Sequence, residues 1–354
     1  QSSLLVAVGA LGRGAPFKEC VTHGWTVDGE GKAMHKSLGN GMDPAEIFEK
    51  YGADLLRLWA GSADYHVDVR CSDEIFKQLS QNYLKFRNTC KFCLDNLVNF
   101  DPDHLVQPDE MLPLDKWAVT RLNALIEKVF AAYDEYEFHV VSHMINDFCV
   151  VDLSSFYFDI IKDRLYCGEE NGLERRSAQT AVWLILDAMT RMFAPILAFT
   201  CDEVWLAMPH RAADDARNVL FNEMVQPYNG YALSEEEMAR WARIAALRTA
   251  VNGALEQARA DKTIGKSLEA EVDLTVTAED AFLTDMDAAA LADVLIVSQV
   301  RVDVGAEQSV AVRPANGAKC LRCWKVLPTV GSDAGHPELC PRCAAVVKKL
   351  PVME

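Results

Sequence analysis

Four cysteines near the end of this 354-residue chain constrain it more tightly than any other feature. They fall as Cys320-x-x-Cys323, sixteen intervening residues, then Cys340-Pro341-Arg342-Cys343. Two such knuckles can place four thiolates around one tetrahedral zinc ion at Zn–S distances of about 2.3 Å, and with every position filled the site is closed and structural. A module this short cannot bury enough surface to fold unaided, so the metal supplies its stability. Two disulfides, or no pairing at all, are the competing readings. His336 precedes Pro337 in the intervening loop and reads as a turn residue.

The other seven cysteines are scattered, and the total of 11 is odd. A reduced, cytosolic compartment therefore fits better than a disulfide framework. Cys90-x-x-Cys93 lies within an amphipathic helical pattern and reads as core. His139 and His143 stand four apart, the spacing of a helical metal pair, but no third ligand accompanies them. No stretch approaches the roughly 20 uncharged apolar residues of a membrane helix. The best run, 181–189, contains Asp187 and is followed by Arg191. The chain begins Gln1-Ser2-Ser3 without Met or a basic leader, so it is expected to be no secretory precursor but a later portion of a longer protein.

Net charge is −17, which argues against a protein that coats nucleic acid. The charge is uneven. Residues 313–354 carry seven Lys/Arg against three Asp/Glu, a formal +4, leaving 28 basic and 49 acidic residues, or −21, elsewhere. Any contact with nucleic acid is thus expected in this tail. Trp324, between Arg322 and Lys325 and the cysteines, could stack on an unpaired base. It could equally cap the knuckle's small core. A zinc ion with four thiolates leaves −2, which Arg322, Lys325, Arg342, Lys348 and Lys349 could offset.

Periodicity divides the chain into four parts. Residues 1–71 read as α/β, with β-leaning segments at 4–8 and 20–27. A turn follows at 28–31, and then a helix capped by Asp43 with Pro44 in its first turn and Glu46 closing a capping box. A second short helix starts near Asp54. Residues 72–265 read as a bundle of long amphipathic helices at 72–97, 114–133, 138–166 and 173–208, the last broken near Pro195, with another running from Ser234 to about Asp261. Residues 266–312 read as a small α+β segment: strand 268–276, helix 279–291, strand 294–304. Residues 313–354 form the cysteine module. The expected fold is mainly α with α/β. Lys162, Arg164, Arg175 and Arg176, at the junction of two bundle helices, read as a solvated face that could touch phosphate.

The remaining motif is Gly31-Lys32-Ala33-Met34-His35-Lys36-Ser37-Leu38-Gly39-Asn40, a glycine-flanked loop with two lysines and a hydroxyl before a helix start. Such a loop can bring ammonium groups onto a polyphosphate, although surface loops of this composition are common.

Taken together, these features resemble the bacterial isoleucyl-tRNA synthetases, class I aminoacyl-tRNA synthetases. The stretch 28–40 resembles that family's KMSKS loop, and 43–44 with 51–59 its continuation. Residues 148–154, 157–166 and 174–180 are similar to the helical anticodon-binding domain, and 319–324 with 336–343 to the zinc module. The resemblance implies the end of a Rossmann-like catalytic domain, an anticodon-binding bundle, a connecting α+β segment and one zinc ion per chain. It also implies ATP-dependent activation of isoleucine, with Mg2+, and transfer to tRNA(Ile). By the same resemblance Lys36 and Ser37 are catalytic, Lys32, Met34, His35, Lys36 and His23 face ATP, and Trp324, Arg322 and Lys325 face RNA. Two positions depart from the pattern: Ala33 replaces its first lysine and His35 its serine. The other nucleotide signature and the editing insertion are expected upstream, so the chain alone is expected to be inactive. A monomer without membrane attachment is expected. The rival expectation is a non-catalytic RNA-binding or assembly protein derived from a synthetase.

Overall fold

The computed structural model describes residues 2–350, and Lys36 by its backbone alone. The chain is mainly helical with three small sheets, in keeping with the expected fold class. It opens with helix α1 (Ser2–Leu5), which widens into a π-turn over Val6–Ala10. The strand expected at 4–8 is therefore helical. A strand needs a partner to take up its backbone hydrogen bonds, and the pairing here begins only with β1 (Thr26–Val27), which lies parallel to β2 (Val69–Arg70). Between them stand α2 (Pro44–Tyr51) and α3 (Ala53–Ser62). Asp43 caps α2 by accepting from the Ala45 amide at 2.9 Å. Ile47, Cys71 and Phe76 form a small core beneath this unit, with Met34, Met42 and Trp59 packed on it.

The bundle comprises α4 (Asp73–Asn96), α5 (Pro113–Asp134), α6 (Phe138–Asp147), α7 (Phe158–Cys167), α8 (Leu173–Phe193), α9 (Ala198–Ala207) and α10 (Glu235–Ala260). A wide π-turned segment, Phe148–Tyr157, joins α6 to α7, so 138–167 is one continuous helical rod, as its periodicity predicts. Helix α10 starts on the expected Ser234–Glu237 capping box. Trp183, Trp205, Leu122 and Ile126 are fully buried in the bundle, with Cys90 and Cys93 beside them as core residues. Burial pushes both thiols well above their usual range.

Charges inside the bundle are paired rather than solvated. Asp115, wholly buried, accepts from Tyr157 Oη (2.7 Å), Ser177 Oγ (2.5 Å) and both terminal nitrogens of Arg164 (2.8 and 2.9 Å), tying α5, α7 and α8 together. Arg191 likewise bonds Asp187 at 2.8 Å and Asp214 at 2.9 Å, and its guanidinium lies over the Trp205 ring at 4.7 Å. Asp187, the charge that interrupts the most apolar run, is thereby matched within one helix turn.

At Pro195 the long helix breaks, because proline lacks the amide and clashes with the preceding turn. Helix α3 fills the break. Arg57 donates to the carbonyls of Pro195 (2.6 Å) and Ile196 (3.0 Å). Asp54 accepts from the Phe199 and Thr200 amides at 3.2 and 2.6 Å, capping α9 from a distant part of the chain.

Beyond α10 a three-stranded sheet in the order β4-β3-β5 is built from β3 (Ala270–Val276), β4 (Gln299–Val304, parallel to β3) and β5 (Ser309–Pro314, antiparallel). A 3-10 segment, Ala278–Asp285, and α11 (Ala288–Leu295) make the crossover. Residues 294–295, expected to open a strand, instead close α11. Ile296 at φ +57° turns the chain into β4. One apolar core runs without interruption from Leu55 through the bundle to Val300 in this sheet. The tail holds β6 (Ala318–Lys319), β7 (Val326–Leu327) and α12 (Pro341–Val347). Among the described residues no helix is long and apolar enough to cross a membrane.

The Asp115 cluster yields a stability prediction. Asp115→Ala strands the Arg164 charge in the interior and should cost about 3–5 kcal/mol, read as a lower urea midpoint at unchanged slope. A loss below about 1 kcal/mol would show that Arg164 finds water instead.

Candidate functional site

The four cysteines of the tail come together. Their sulfurs all lie within 4.8 Å of one another, and all four residues are buried. Among the described residues this is the one cluster of three or more His, Cys, Asp or Glu side chains disposed to hold a metal. The Cys323 and Cys340 sulfurs are 3.8 Å apart. A tetrahedron with Zn–S bonds near 2.3 Å has an edge of about 3.8 Å, whereas a disulfide bond measures about 2.05 Å. The geometry therefore fits a shared zinc ion and not a pair of disulfides.

Local backbone chemistry builds each knuckle. In the first, the Cys320 amide donates to the Lys325 carbonyl and the Trp324 amide to the Cys320 carbonyl, both at 2.9 Å. Trp324 itself adopts φ +65°, in the left-handed region. Gly317 enters the module at φ +122°, where a Cβ would sit 2.2 Å from the Leu327 carbonyl carbon. In the second, Cys340 precedes Pro341 at the start of α12, and the Cys340 amide donates to Cys320 Sγ at 3.3 Å. Burial opposes ionisation of Cys320, but amides of Cys323, Cys340 and Arg322 outweigh it and hold the thiol down to about 6. Burial pushes the other three thiols up, Cys323 to about 11. Keeping all four as thiolates therefore requires a cation in their midst.

The basic residues around the knot do a different job from the one expected of them. Arg322 donates to the carbonyls of Cys167 (2.5 Å) and Tyr166 (3.5 Å), the open end of α7, and lies 3.9 Å from Cys343 Sγ. Cys167 Sγ donates back to the Arg322 carbonyl at 3.5 Å. Lys325 pairs with Asp293 on α11, Arg342 with Asp163 on α7, Lys349 with Glu169 and Lys348 with Asp333. Only Arg322 reaches a zinc-site sulfur in a hydrogen bond; the others clamp the module to the bundle and the sheet or tie its own loop. Of the three residues expected to face RNA, Arg322 and Lys325 are thus held by protein partners. Trp324 is 56% exposed and does not cap the knuckle.

The signature loop is a separate structure at the other end of the chain. Asp28 Oδ1 accepts from the amides of Glu30 (3.0 Å) and Lys32 (2.8 Å). Asn40 closes the loop by donating to Asp28 Oδ2 (2.8 Å) and the Ala33 carbonyl (3.2 Å), while its own oxygen accepts from the His35 amide (2.9 Å). Asn40, then the Lys32 amide, hold the Asp28 carboxyl below its usual range. This Asp28–Asn40 clasp was missed in the sequence, where its one signal is two turn-forming side chains at the loop's ends. Gly31 and Gly39, at φ +84° and +64°, give the loop its bends.

Within the loop, Lys32 pairs with Glu30 at 2.7 Å in the open. The His35 Nδ1 atom meets Ser37 Oγ at 2.7 Å. Met34 packs down onto the small core, and the Lys36 side chain lies outside the described residues. His23 stands apart, bonded to the Gly24 carbonyl at 2.7 Å and lining an apolar cleft of about 480 Å³ between α3 and the bundle. His139 is half-buried beside Glu137, His143 is exposed, and neither belongs to a metal-holding group. Lys162 pairs with Asp159, Arg175 binds the carbonyls of Leu165 and Glu170, and Arg176 those of Asn99 and the side chain of Gln179. Arg164 on Asp115, Arg175 and Arg176 are thus taken up by protein partners, while Lys162 stays on the solvated surface of α7.

Three family models match the chain in succession. The class I tRNA synthetase model (isoleucine, leucine, methionine and valine types) matches residues 1–72, the anticodon-binding domain of tRNA ligases 115–274, and the zinc finger found in FPG and IleRS 317–346. Segment by segment, the chain matches the class I tRNA synthetases. Its curated relatives include the isoleucine–tRNA ligases of Geobacter sulfurreducens (46% identity over 98% of this chain), Moorella thermoacetica (44% over 99%) and Thermoanaerobacter pseudethanolicus (43% over 99%). The chain spans 38–39% of the length of these relatives. The resemblance to synthetases read from the sequence is borne out, and a zinc-finger family match coincides with the four-cysteine cluster.

Metal analysis should find one zinc per chain. Cys340→Ser or a chelator should remove it and lower α7–tail protection from hydrogen exchange, while the bundle, whose core excludes the tail, keeps its helical dichroism. Less than about half a zinc in protein purified without chelator would contradict the assignment.

Proposed function

We propose that this chain supplies the loop-bearing end of the catalytic domain (1–71), the anticodon-binding bundle (72–265), a connecting α+β segment (266–312) and the zinc module (313–354) of an isoleucine–tRNA ligase. The observation that carries this is the identity of 43–46% with isoleucine–tRNA ligases along almost the whole chain, with all three synthetase models met in order.

In the whole enzyme, the isoleucine carboxylate attacks the α-phosphate of ATP, with Mg2+ on the phosphates. Pyrophosphate leaves, and the isoleucyl group passes to the 3′ end of tRNA(Ile). Lys36 meets the charge that develops on the phosphoryl oxygens, an effect worth several kcal/mol of barrier for a comparable group, roughly 3–4. Ser37, tied to His35, supports the loop, and Met34 anchors it from below. Lys32 and His35 stand on the loop's open side, toward the nucleotide. His23 contributes from the cleft between α3 and the bundle. The zinc ion takes no part in bond making and holds the tail on the bundle, where Trp324 meets RNA. The protein works in the cytoplasm as a monomer.

Binding to tRNA tests this reading. The chain should bind tRNA(Ile) at least about tenfold more tightly than tRNA(Val), with an affinity that falls steeply as salt rises. Equal affinity for the two would remove the isoleucine assignment.

A further inference from the structure

The signature loop departs from the pattern it resembles at His35, which stands in place of a serine. The residue is fixed at three points. Its amide donates to Asn40 Oδ1 at 2.9 Å, its carbonyl accepts from the Leu38 amide at 3.0 Å, and its ring turns onto Ser37. His35 thus stands directly before the 3-10 turn Lys36–Leu38. From that position a side chain caps a helix start by accepting from an amide of the first turn. The imidazole does this: the Ser37 amide donates to Nδ1 at 3.3 Å, and Ser37 Oγ lies 2.7 Å from the same nitrogen.

A backbone amide can only donate, so the contact assigns the proton of the ring. Nδ1 offers its lone pair, and the neutral imidazole carries its hydrogen on Nε2. A second proton would occupy Nδ1 and cancel the bond from the Ser37 amide. His66 and His104 are built the other way: Nδ1 of each meets a carboxylate, Asp64 at 2.9 Å and Asp101 at 2.7 Å, a partner that a protonated nitrogen keeps. The charged groups about His35 are otherwise engaged or stand off. On its own loop Lys32 pairs with Glu30, and the Asp28 carboxylate is taken by Asn40 and two amides. At the start of α2, Asp43 accepts from the Ala45 amide. From β2 comes Arg70, whose Nη2 would meet a Cβ on Gly31 at 3.7 Å. Among the described residues no carboxylate pairs with the ring.

We propose that His35 is a positioning residue of the signature loop: its bare Nδ1 caps the turn that carries Lys36 and Ser37, and the turn is held only while the imidazole is neutral. A serine hydroxyl in that place would accept at any pH. The histidine makes the same cap conditional on proton concentration, because an imidazole changes charge between about pH 5 and 8. The sign follows from the acceptor role: the cap is complete on the alkaline side and is lost as the ring takes up its proton. This inference rests on the ligase reading above and adds a proton dependence to the same loop.

The test uses the complete ligase that carries this segment, read by isoleucine-dependent exchange of pyrophosphate into ATP across about pH 5.5–8.5. The unaltered enzyme should lose kcat toward acid through one ionisation that His35→Asn lacks, since an amide oxygen caps the turn at any pH. At the alkaline end His35→Ala should lower kcat roughly two- to 30-fold, the range for a lost cap. The loss should fall on kcat and not on KM for ATP, and His35→Asn should restore the rate. In this chain, nitrogen NMR should place the hydrogen of His35 on Nε2, and the Ser37 amide should shift with the ring as acid is added. Zinc content and helical dichroism of each variant confirm that it is folded. A rate that rises as the ring is protonated, or an unchanged pH profile in His35→Asn, would overturn the capping role alone. Absence of isoleucine-dependent exchange in the unaltered enzyme would overturn the ligase reading itself.

Discussion

Backbone groups left without partners at helix ends govern how this chain is put together. A helix leaves up to four carbonyls unsatisfied at one end and four amides at the other. At the Pro195 break and at the end of α7, a charged side chain from a distant segment occupies such groups. Arg57 and Asp54 take the two sides of the break at Pro195, so that the loop-bearing unit and the bundle meet as one body. Arg322 does the same for the last carbonyls of α7, and so ties the zinc module down. Buried charged hydrogen bonds of this kind are strong because leaving either partner alone is costly.

The zinc knot gains a second meaning from that arrangement. Within the tail, four crowded sulfurs order a segment too short for a core of its own. Toward the bundle, the same knuckle presents the Arg322 donors on one side and the Trp324 indole on the other. The left-handed residue between the knuckle and β7 makes this division: the chain reverses sharply after Cys323, and the indole is carried outward as the guanidinium turns in. Metal binding and the shape of the neighbouring surface are therefore one event.

The signature loop follows a different logic. It rests on little core, only Met34 set into a few apolar side chains, and on a clasp of hydrogen bonds between Asp28 and Asn40. A loop held at its two ends leaves Lys32 and His35 exposed between them.

Much of this was legible in the sequence. The rod 138–167, the break near Pro195, the Ser234–Glu237 capping box and the two cysteine knuckles depend on side-chain period, a missing amide and ligand spacing, all of which are local. What was not legible depends on distant partners. Residues 4–8 are helical although β-leaning, since no neighbouring strand is there to receive them. The cations Arg164, Arg175, Arg322 and Lys325 look free in a sequence, because the carboxylates and carbonyls that take them lie 5 to 156 positions away. The sequence alone determined where the long bundle helices start and stop and which sulfurs come together; only the tertiary structure decided which charges are spent holding helix ends and which side chains remain exposed, because that choice is made by proximity in space, and burying an unpaired charge or carbonyl costs more than any local preference can supply.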